Sequence, residues 1–194
     1  MTNKLFYKPY VFLDKIDDVI KTNLLKFKEI NIIIDTPHKN KEIFENELRI
    51  IKFAKTNNIP FFFKNNYQKC IKYKASGVYI DSTNNSKIRP ILIKKNFKII
   101  GSAHNQKEYF IKLQQRCGLI TLSPIFYNKK YSKNNILSIQ KFNHITLNWK
   151  LDICALGGIN LNSIKKVKLT KARSIAFKKL IFDLKIKKPA YNLM

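Results

Sequence analysis

The chain has 194 residues, 45% of them apolar, and 38 Lys and Arg against 12 Asp and Glu, a formal net charge of +26. The apolar fraction excludes wholesale disorder, and no apolar run approaches the ~20 residues of a membrane span. The first ten residues, MTNKLFYKPY, lack the continuous apolar stretch of a signal peptide, so we expect a cytoplasmic protein with no membrane partner.

Short β-branched or aromatic runs alternate with longer amphipathic stretches, which predicts parallel strands joined by helical crossovers. Runs such as Ile32–Ile34 and Phe61–Phe63 are apolar on both faces, as in a parallel sheet that helices cover. The predicted strands are Tyr10–Leu13, Ile30–Ile34, Pro60–Phe63, Gly77–Ile80, Lys98–Gly101, Gly118–Leu122, Asp152–Leu156 and Ser174–Phe177.

The clearest predicted helix is Lys39–Asn57, where apolar residues recur at helical spacing. Asn105 is a predicted N-cap of a second helix, Gln106–Arg116. Two crossovers have poor helical patterns: Ser86–Asn96 contains a proline, and Lys133–Asn148 is rich in Asn and β-branched residues.

Eight strands with seven crossovers and a terminal helix predict an α/β fold, a single closed (β/α)₈ barrel over residues 1–184 with a basic tail over 185–194. The alternative is an open doubly wound sheet. A dinucleotide-binding sheet of that kind would carry GxGxxG after an early strand, and the sequence has none. The barrel is therefore favoured, although the chain is short for one.

The three cysteines, Cys70, Cys117 and Cys154, are far apart and form no CxxC pair. An odd count without metal-ligand spacing argues against a disulfide framework or a zinc site. Since each lies in an apolar or helical context, we expect three buried free thiols.

The positive charge suggests nucleic-acid binding first. However, the cations are almost all lysines, which lack the bidentate fork of arginine, and they are spread evenly along the chain. Lys, Asn and Ile are over-used together, as in proteins of AT-rich genomes. Compositional bias is therefore favoured over a nucleic-acid interface, and any pocket should prefer phosphorylated ligands.

A barrel binds ligands at the carboxyl ends of its strands, and the best local signal there is the Gly-Gly-Ile turn at Gly157–Ile159. Two glycines between a strand and a helix let backbone N–H groups approach a phosphate. Lys178 and Lys179, after the eighth strand, would add charge. Spacing alone leaves open an ordinary tight turn with two solvated lysines.

His104, at the end of the fifth strand, is a candidate proton carrier because the ordinary pKa of imidazole is near neutrality. The alternative is a helix-entry histidine that bonds the backbone. His38 and His144 are weaker candidates, and we expect His144 on the surface.

Four segments, in order, resemble the thiamine-phosphate synthase/TenI family, over about Ile30 to Phe182. The segment Ile59–Ile80 is similar to its third strand, helix and fourth strand, and GSAHNQKEY to its fifth-strand exit. GLITLSPIF resembles its sixth strand, and ALGGIN its phosphate-binding turn.

The family joins an aminopyrimidine diphosphate to a thiazole phosphate or, in TenI-type members, aromatises the thiazole phosphate. The resemblance implies that Gly157, Gly158 and Ile159, with Lys178 and Lys179, hold the thiazole phosphate. It makes His104 the acid–base histidine of the tautomerase members. The implied substrate-pocket residues are Ser102, Ser123, Pro124, Lys64, Asn65 and Asn84.

Three positions depart from the family's pattern. Asn65 and Asn84 stand where synthase members hold Mg²⁺ with aspartates, and Asp35 replaces an arginine that binds the diphosphate. An amide binds Mg²⁺ far less well than a carboxylate. The departures favour a TenI-like tautomerase or binding protein with no cofactor.

Three alternatives stay open. An active synthase would need Mg²⁺, or Lys64 and Lys129–Lys130 to neutralise the diphosphate without metal. The others are a non-catalytic barrel and a basic barrel that binds polyanions. The sequence also leaves open whether the barrel forms a homodimer.

Overall fold

The computed structural model describes residues 8–36, 41–86, 97–127 and 136–184. Their strands form one closed parallel barrel in which each strand pairs with the next and β8 pairs with β1. The strands are β1 (Tyr10–Leu13), β2 (Asn31–Ile34), β3 (Phe61–Lys64), β4 (Gly77–Ile80), β5 (Lys98–Ala103), β6 (Leu119–Leu122), β7 (Asp152–Leu156) and β8 (Ser174–Phe177). The predicted (β/α)₈ barrel is confirmed, with all eight predicted strands in place.

Helices connect these strands and cover the outside of the barrel. They are α1 (Asp18–Leu25), α2 (Lys41–Thr56), α3 (Tyr67–Lys72), α4 (Gln106–Gln114), α5 (Ser138–Ile145), α6 (Ile164–Val167) and α7 (Leu180–Asp183). Residues 87–96 of the β4–β5 crossover and the predicted tail 185–194 lie outside the described residues.

Side-chain caps fix where several helices begin. The Asn105 Oδ1 accepts a hydrogen bond from the Glu108 N–H at 3.0 Å, so the predicted cap of α4 is confirmed. Asp17 and Asn66 cap α1 and α3 in the same way. In α5, by contrast, Leu137 precedes the helix and provides no side-chain cap. This helix is shorter than Lys133–Asn148, the segment whose sequence has a poor helical pattern.

The strands are apolar on both faces because each face meets a different core. Phe62 and Ile33 point into the barrel, where they join Phe12, Tyr79 and Ile100. Their chain neighbours point outward into the core between barrel and helices; these include Phe61, Phe63, Ile32 and Ile34. The period of two in a strand therefore explains the continuous apolar runs.

The cysteines are free and buried, as predicted. Burial raises the pKa of Cys70 and of Cys117 to about 12, so both thiols are protonated at neutral pH. Within the described ranges, no helix combines the length and apolarity needed to cross a bilayer.

Two glycines at strand starts provide a matched stability test. A Cβ on Gly77 would collide with the Lys98 carbonyl and lie 2.9 Å from the Phe62 ring, whereas a Cβ on Gly118 would meet nothing within 4 Å. We expect Gly77→Ala to lower the free energy of unfolding by about 1–3 kcal/mol. Gly118→Ala should change it by less than about 0.5 kcal/mol. Urea denaturation of both variants measures this, and equal losses would contradict the packing of β4 against β5.

Candidate active site at the carboxyl ends of the strands

Barrel closure brings the residues after each strand to one rim. We call this rim the mouth. The residues that follow the strands there are Asp14, Asp35, Asn65, Asp81, His104, Ser123, Gly157 and Lys178. Apart from the weaker candidate His144, every predicted site residue within the described ranges lies at the mouth or in the strand directly beneath it. His38 and Lys129–Lys130 lie outside the described residues.

His104 is paired with a carboxylate. Its Nδ1 lies 2.9 Å from the Glu108 Oε2, one helical turn further along, and its backbone N–H donates to the same oxygen at 2.7 Å. Asn105 Nδ2 donates to the other carboxylate oxygen at 3.0 Å. A carboxylate on Nδ1 holds the ring proton there and leaves Nε2 as the basic nitrogen. The imidazole ring is therefore oriented by a side chain, not by the backbone.

The Gly157–Gly158 turn packs against the loop after β6. Both glycines have left-handed φ values, +94° and +70°. A Cβ on Gly157 would lie 2.9 Å from Pro124, and one on Gly158 would collide with the Phe126 carbonyl. Close packing therefore accounts for both glycines even before any ligand is considered.

The same turn leaves backbone N–H groups available to a ligand. The Gly157 carbonyl accepts from the Phe126 N–H at 3.1 Å, and the Gly158 carbonyl from the Ser163 hydroxyl at 3.0 Å. Among the described residues, neither the Gly158 amide nor the Ile159 amide donates a hydrogen bond. These amides can bind an anion.

The two lysines after β8 differ in their surroundings. The Lys178 Nζ donates to the Asp14 Oδ2 at 2.8 Å, which ties the end of β8 to the end of β1. Lys178 and Lys179 are both exposed. Because Lys178 is already paired with the half-buried Asp14 carboxylate, it would bind a phosphate only by sharing or leaving Asp14.

The β2–β4 side of the mouth is occupied by internal contacts. Lys64 Nζ lies 2.9 Å from Asp35 Oδ1. Asn65 Nδ2 donates to Asp81 Oδ2 at 2.7 Å, and the Asp81 N–H donates back to Asn65 Oδ1 at 3.1 Å. Asn84 Nδ2 also reaches Asn65 Oδ1, at 3.3 Å. Two amides and one carboxylate thus form a closed network.

Asp81 is the centre of that network. Its other oxygen, Oδ1, accepts from the Thr83 hydroxyl at 2.8 Å and from the Asn84 N–H at 3.1 Å. Burial alone would raise the pKa of Asp81, but the hydrogen bonds from Thr83 and Asn65 and the charge of Lys64 outweigh it and lower that pKa.

The side chains around Asp81 do not fit a Mg²⁺ ion. Mg²⁺ prefers carboxylate oxygens in octahedral geometry, and both oxygens of Asp81 already accept hydrogen bonds from the protein. Across the described ranges, no three His, Cys, Asp or Glu side chains are grouped so that they could hold a metal ion. Asn65, at φ +51°, has a backbone conformation that asparagine tolerates well.

The remaining predicted pocket residues form a buried floor. Ser102, Ser123 and Pro124 are all buried. Below them, Tyr79 is inside the barrel with its hydroxyl 3.1 Å from the Thr121 hydroxyl. Burial raises the pKa of Tyr79 to about 12, so this floor is polar but uncharged.

Two residues of the mouth were missed by the sequence reasoning: Glu108, the partner of His104, and Asp81, the centre of the β3–β4 network. Glu108 had a usable signal, because Asn105 and Glu108 have capping-box spacing. Asp81 directly follows the predicted fourth strand, but nothing in the sequence pairs it with Asn65, because that contact depends on the neighbouring strand. The predicted surface position of His144 is confirmed, since it is exposed on α5.

Comparison with known proteins places the barrel among its relatives. The sequence model of TMP-TENI, described as thiamine monophosphate synthase, matches residues 18–181. The chain belongs to the thiamine monophosphate synthase/TenI family. It is also 28% identical, over 169 residues and 82% of its length, to a thiamine-phosphate synthase of Prochlorococcus marinus, and spans 47% of that protein.

Solved structures show the same fold at low identity. A thiamine phosphate pyrophosphorylase from Pyrococcus furiosus has a TM-score of 0.71 and 19% identity, covering 98% of this chain and 94% of that one. One from Bacteroides thetaiotaomicron has a TM-score of 0.59 and 13% identity, covering 96% and 91%. At these identities the likeness extends to the family's barrel alone.

The lowered pKa of Asp81 predicts an acid-sensitive mouth. Because the folded-state pKa lies below the ordinary 3.8, the ionised carboxylate contributes stability above that value and loses it as the pH falls through the folded-state pKa. Asp81→Asn should lower the free energy of unfolding at neutral pH and remove this part of the acid dependence. Urea denaturation across the acid range measures both.

Asp152→Asn is the matched control, since it removes the same charge at the opposite end of the barrel. That variant should keep the Asp81-dependent loss of stability in acid. If Asp81→Asn followed the wild-type acid profile, the carboxylate network would be wrong.

Proposed function

We propose that this barrel binds a thiazole phosphate and transfers a proton on the thiazole ring through His104, without joining the ring to a second substrate. The observation that carries the proposal is the difference between the two halves of the mouth. The β5 and β7 exits present a carboxylate-oriented imidazole and available backbone amides. The β2–β4 exits present Asp35 and Asp81, bonded to Lys64 and Asn65.

The His104–Glu108 pair is suited to general acid–base chemistry. With the proton held on Nδ1, the free Nε2 can remove a proton from a carbon acid, and Glu108 stabilises the imidazolium that results. The same imidazolium can return the proton to another atom of the ring. That exchange moves a double bond without any net gain or loss of atoms, which is what a tautomerase does.

A monophosphate suits the other half of the site. The Gly158 and Ile159 amides supply dipoles, and Lys179, with Lys178 where it shares or leaves Asp14, supplies charge at the neighbouring β8 exit, in the loops where barrels of this class often bind phosphate. The glycines allow close approach of the backbone. These groups can counter the charge of a single phosphate without a metal ion.

A second candidate is an active thiamine-phosphate synthase. The family description and the name of the Prochlorococcus relative favour it. Against it, the Asp35 and Asp81 carboxylates at the β2 and β4 exits would repel a diphosphate. Lys64, which could attract one on this side of the mouth, is already paired with Asp35. A synthase would therefore have to break the Lys64–Asp35 pair.

His104→Ala tests the proton-transfer role. With the thiazole carboxylate-phosphate tautomer as substrate, we expect aromatisation to slow by about 10²–10⁴-fold, because loss of a positioned acid–base group typically costs that much. Glu108→Gln should slow it less, since the imidazole itself remains. Thiazole phosphate binding should persist in both variants, which separates chemistry from binding.

His144→Ala is the control for these variants, because His144 is exposed on α5 and far from the β5 exit in the chain. It should keep wild-type turnover. Unchanged turnover in His104→Ala would remove His104 from the mechanism, while turnover equally lost in His144→Ala would point to general damage.

The diphosphate side gives a further test. In a ligand-shift melt, thiazole phosphate should raise the Tm, because a ligand at a hundred times its Kd stabilises the folded state by about 2.7 kcal/mol. Inorganic pyrophosphate with Mg²⁺ should change the Tm little. Asp35→Asn frees Lys64 and should strengthen pyrophosphate binding. Asp152→Asn, at the opposite end, should not.

Incubation with aminopyrimidine diphosphate, thiazole phosphate and Mg²⁺ decides between the two candidates. No thiamine phosphate is expected. Its formation by the wild-type protein would establish the synthase and overturn our assignment. Strong retention of RNA that falls steeply with salt would instead support the polyanion hypothesis.

A further inference from the structure

A lysine on α4 is fully buried directly behind the mouth. Lys112 has 0% of its surface exposed. Its Nζ donates to the backbone carbonyl of Asn84 at 2.7 Å and to the Gln115 Oε1 at 2.9 Å. The ammonium is thus directed at the loop that follows β4.

Gln115 acts on the same loop. It is 3% exposed, and its Nε2 donates to the Asn84 carbonyl at 2.9 Å and to the Ser86 carbonyl at 2.8 Å. Together the two side chains hold the loop by two of its carbonyls, those of Asn84 and Ser86. We refer to Lys112 and Gln115 as the α4 clamp.

Burying the ammonium group of Lys112 costs free energy. Burial lowers the pKa of Lys112, and the charges of Asp81 and Glu108 oppose that effect. An apolar side chain at this position would avoid the cost of burying an ammonium. A lysine is favoured only if its hydrogen bonds to the loop are needed, because they are the contacts that an apolar side chain cannot make.

The loop that the clamp holds contains the centre of the β3–β4 network. The Asn84 N–H donates to Asp81 Oδ1 at 3.1 Å, and the Ser86 N–H donates to Asn84 Oδ1 at 3.0 Å. Asn84 links the clamp to the network: the clamp holds its backbone carbonyl, and its side-chain Nδ2 donates to Asn65. A shift of that carbonyl would therefore displace the contacts of Asn84 with Asp81 and Asn65 at the mouth.

We infer that Lys112 and Gln115 are positioning residues that hold the β4 exit loop, and through it Asn84 and Asp81, in place at the mouth. The inference depends on the proposed function only for its effect on ligand binding. The ordering of the loop itself follows from three hydrogen bonds that the clamp donates to loop carbonyls, with the Lys112–Gln115 bond joining the two clamp side chains.

Lys112→Met tests the clamp because methionine keeps most of the aliphatic stem and removes the ammonium. The readout is the solvent-exchange rate of individual backbone amides by NMR. We expect the Asn84 and Ser86 amides to exchange about tenfold faster or more, with the amides of the barrel strands unchanged. Lys107→Met, the same change at an exposed position of α4, should leave all rates as in the wild type.

Gln115→Met keeps the test decisive if Lys112→Met fails to fold. It removes both bonds from Nε2 and leaves the ammonium on the Asn84 carbonyl, so faster exchange should be greatest at Ser86. Wild-type rates at both loop amides would overturn the inference. So would equal acceleration in the loop and in the strands, because the clamp would then contribute only to global stability.

Ligand binding separates this inference from the proposed function. If both hold, Lys112→Met should weaken thiazole phosphate binding several-fold, and Lys107→Met should not. A wild-type protein that fails to bind thiazole phosphate would refute the proposed function and leave the exchange result intact. Faster loop exchange with unchanged thiazole phosphate affinity would overturn the link between the clamp and the mouth.

Discussion

Closure of the barrel between β1 and β8 is the constraint on which the mouth depends. The two strands meet in a short register, Tyr10 with Ala176 and Val11 with Phe177. Around this seam, the Ser174 hydroxyl donates to the Lys8 carbonyl at 3.1 Å, and Asn23 of α1 donates to the Ile181 carbonyl of α7 at 2.8 Å. These contacts join the two ends of the described chain, and only a closed sheet brings eight strand exits to one rim.

At that rim, acidic residues are matched to neighbours from adjoining strands. Asp14 bonds Lys178, Asp35 bonds Lys64, and Asp81 bonds Asn65. Since the chain has only 12 acidic residues, three of them at strand exits reduce the positive charge where ligands bind. The mouth is therefore less attractive to a polyanion than the net charge of +26 suggests, which agrees with a small monophosphate as ligand.

The fold could be predicted from the sequence because it follows from local patterns. Three isoleucines or three phenylalanines in a row predict a barrel strand that is buried on both faces. In the structure the middle residue points into the barrel and its two neighbours pack under the helices. The contacts of the mouth could not be predicted in the same way. Asp81 meets Asn65 only because β4 pairs with β3 in one register, and Lys112 has the sequence context of an ordinary solvated lysine. Such pairings depend on register and rotamer, which a single sequence does not encode locally.

Helix α4 then supports both halves of the proposed site. Glu108 and Lys112 are one helical turn apart, so they project from the same side of the helix, the first to His104 and the second to the Asn84 carbonyl. Other residues of α4 contact Trp149: Tyr109 stacks on it with ring centroids 4.2 Å apart, and the Trp149 indole donates to Gln106. Because one helix orients the imidazole and the β4 exit loop, a shift of α4 would change the two together. His104 and the neighbouring polar network at the β4 exit are therefore both held by residues at α4.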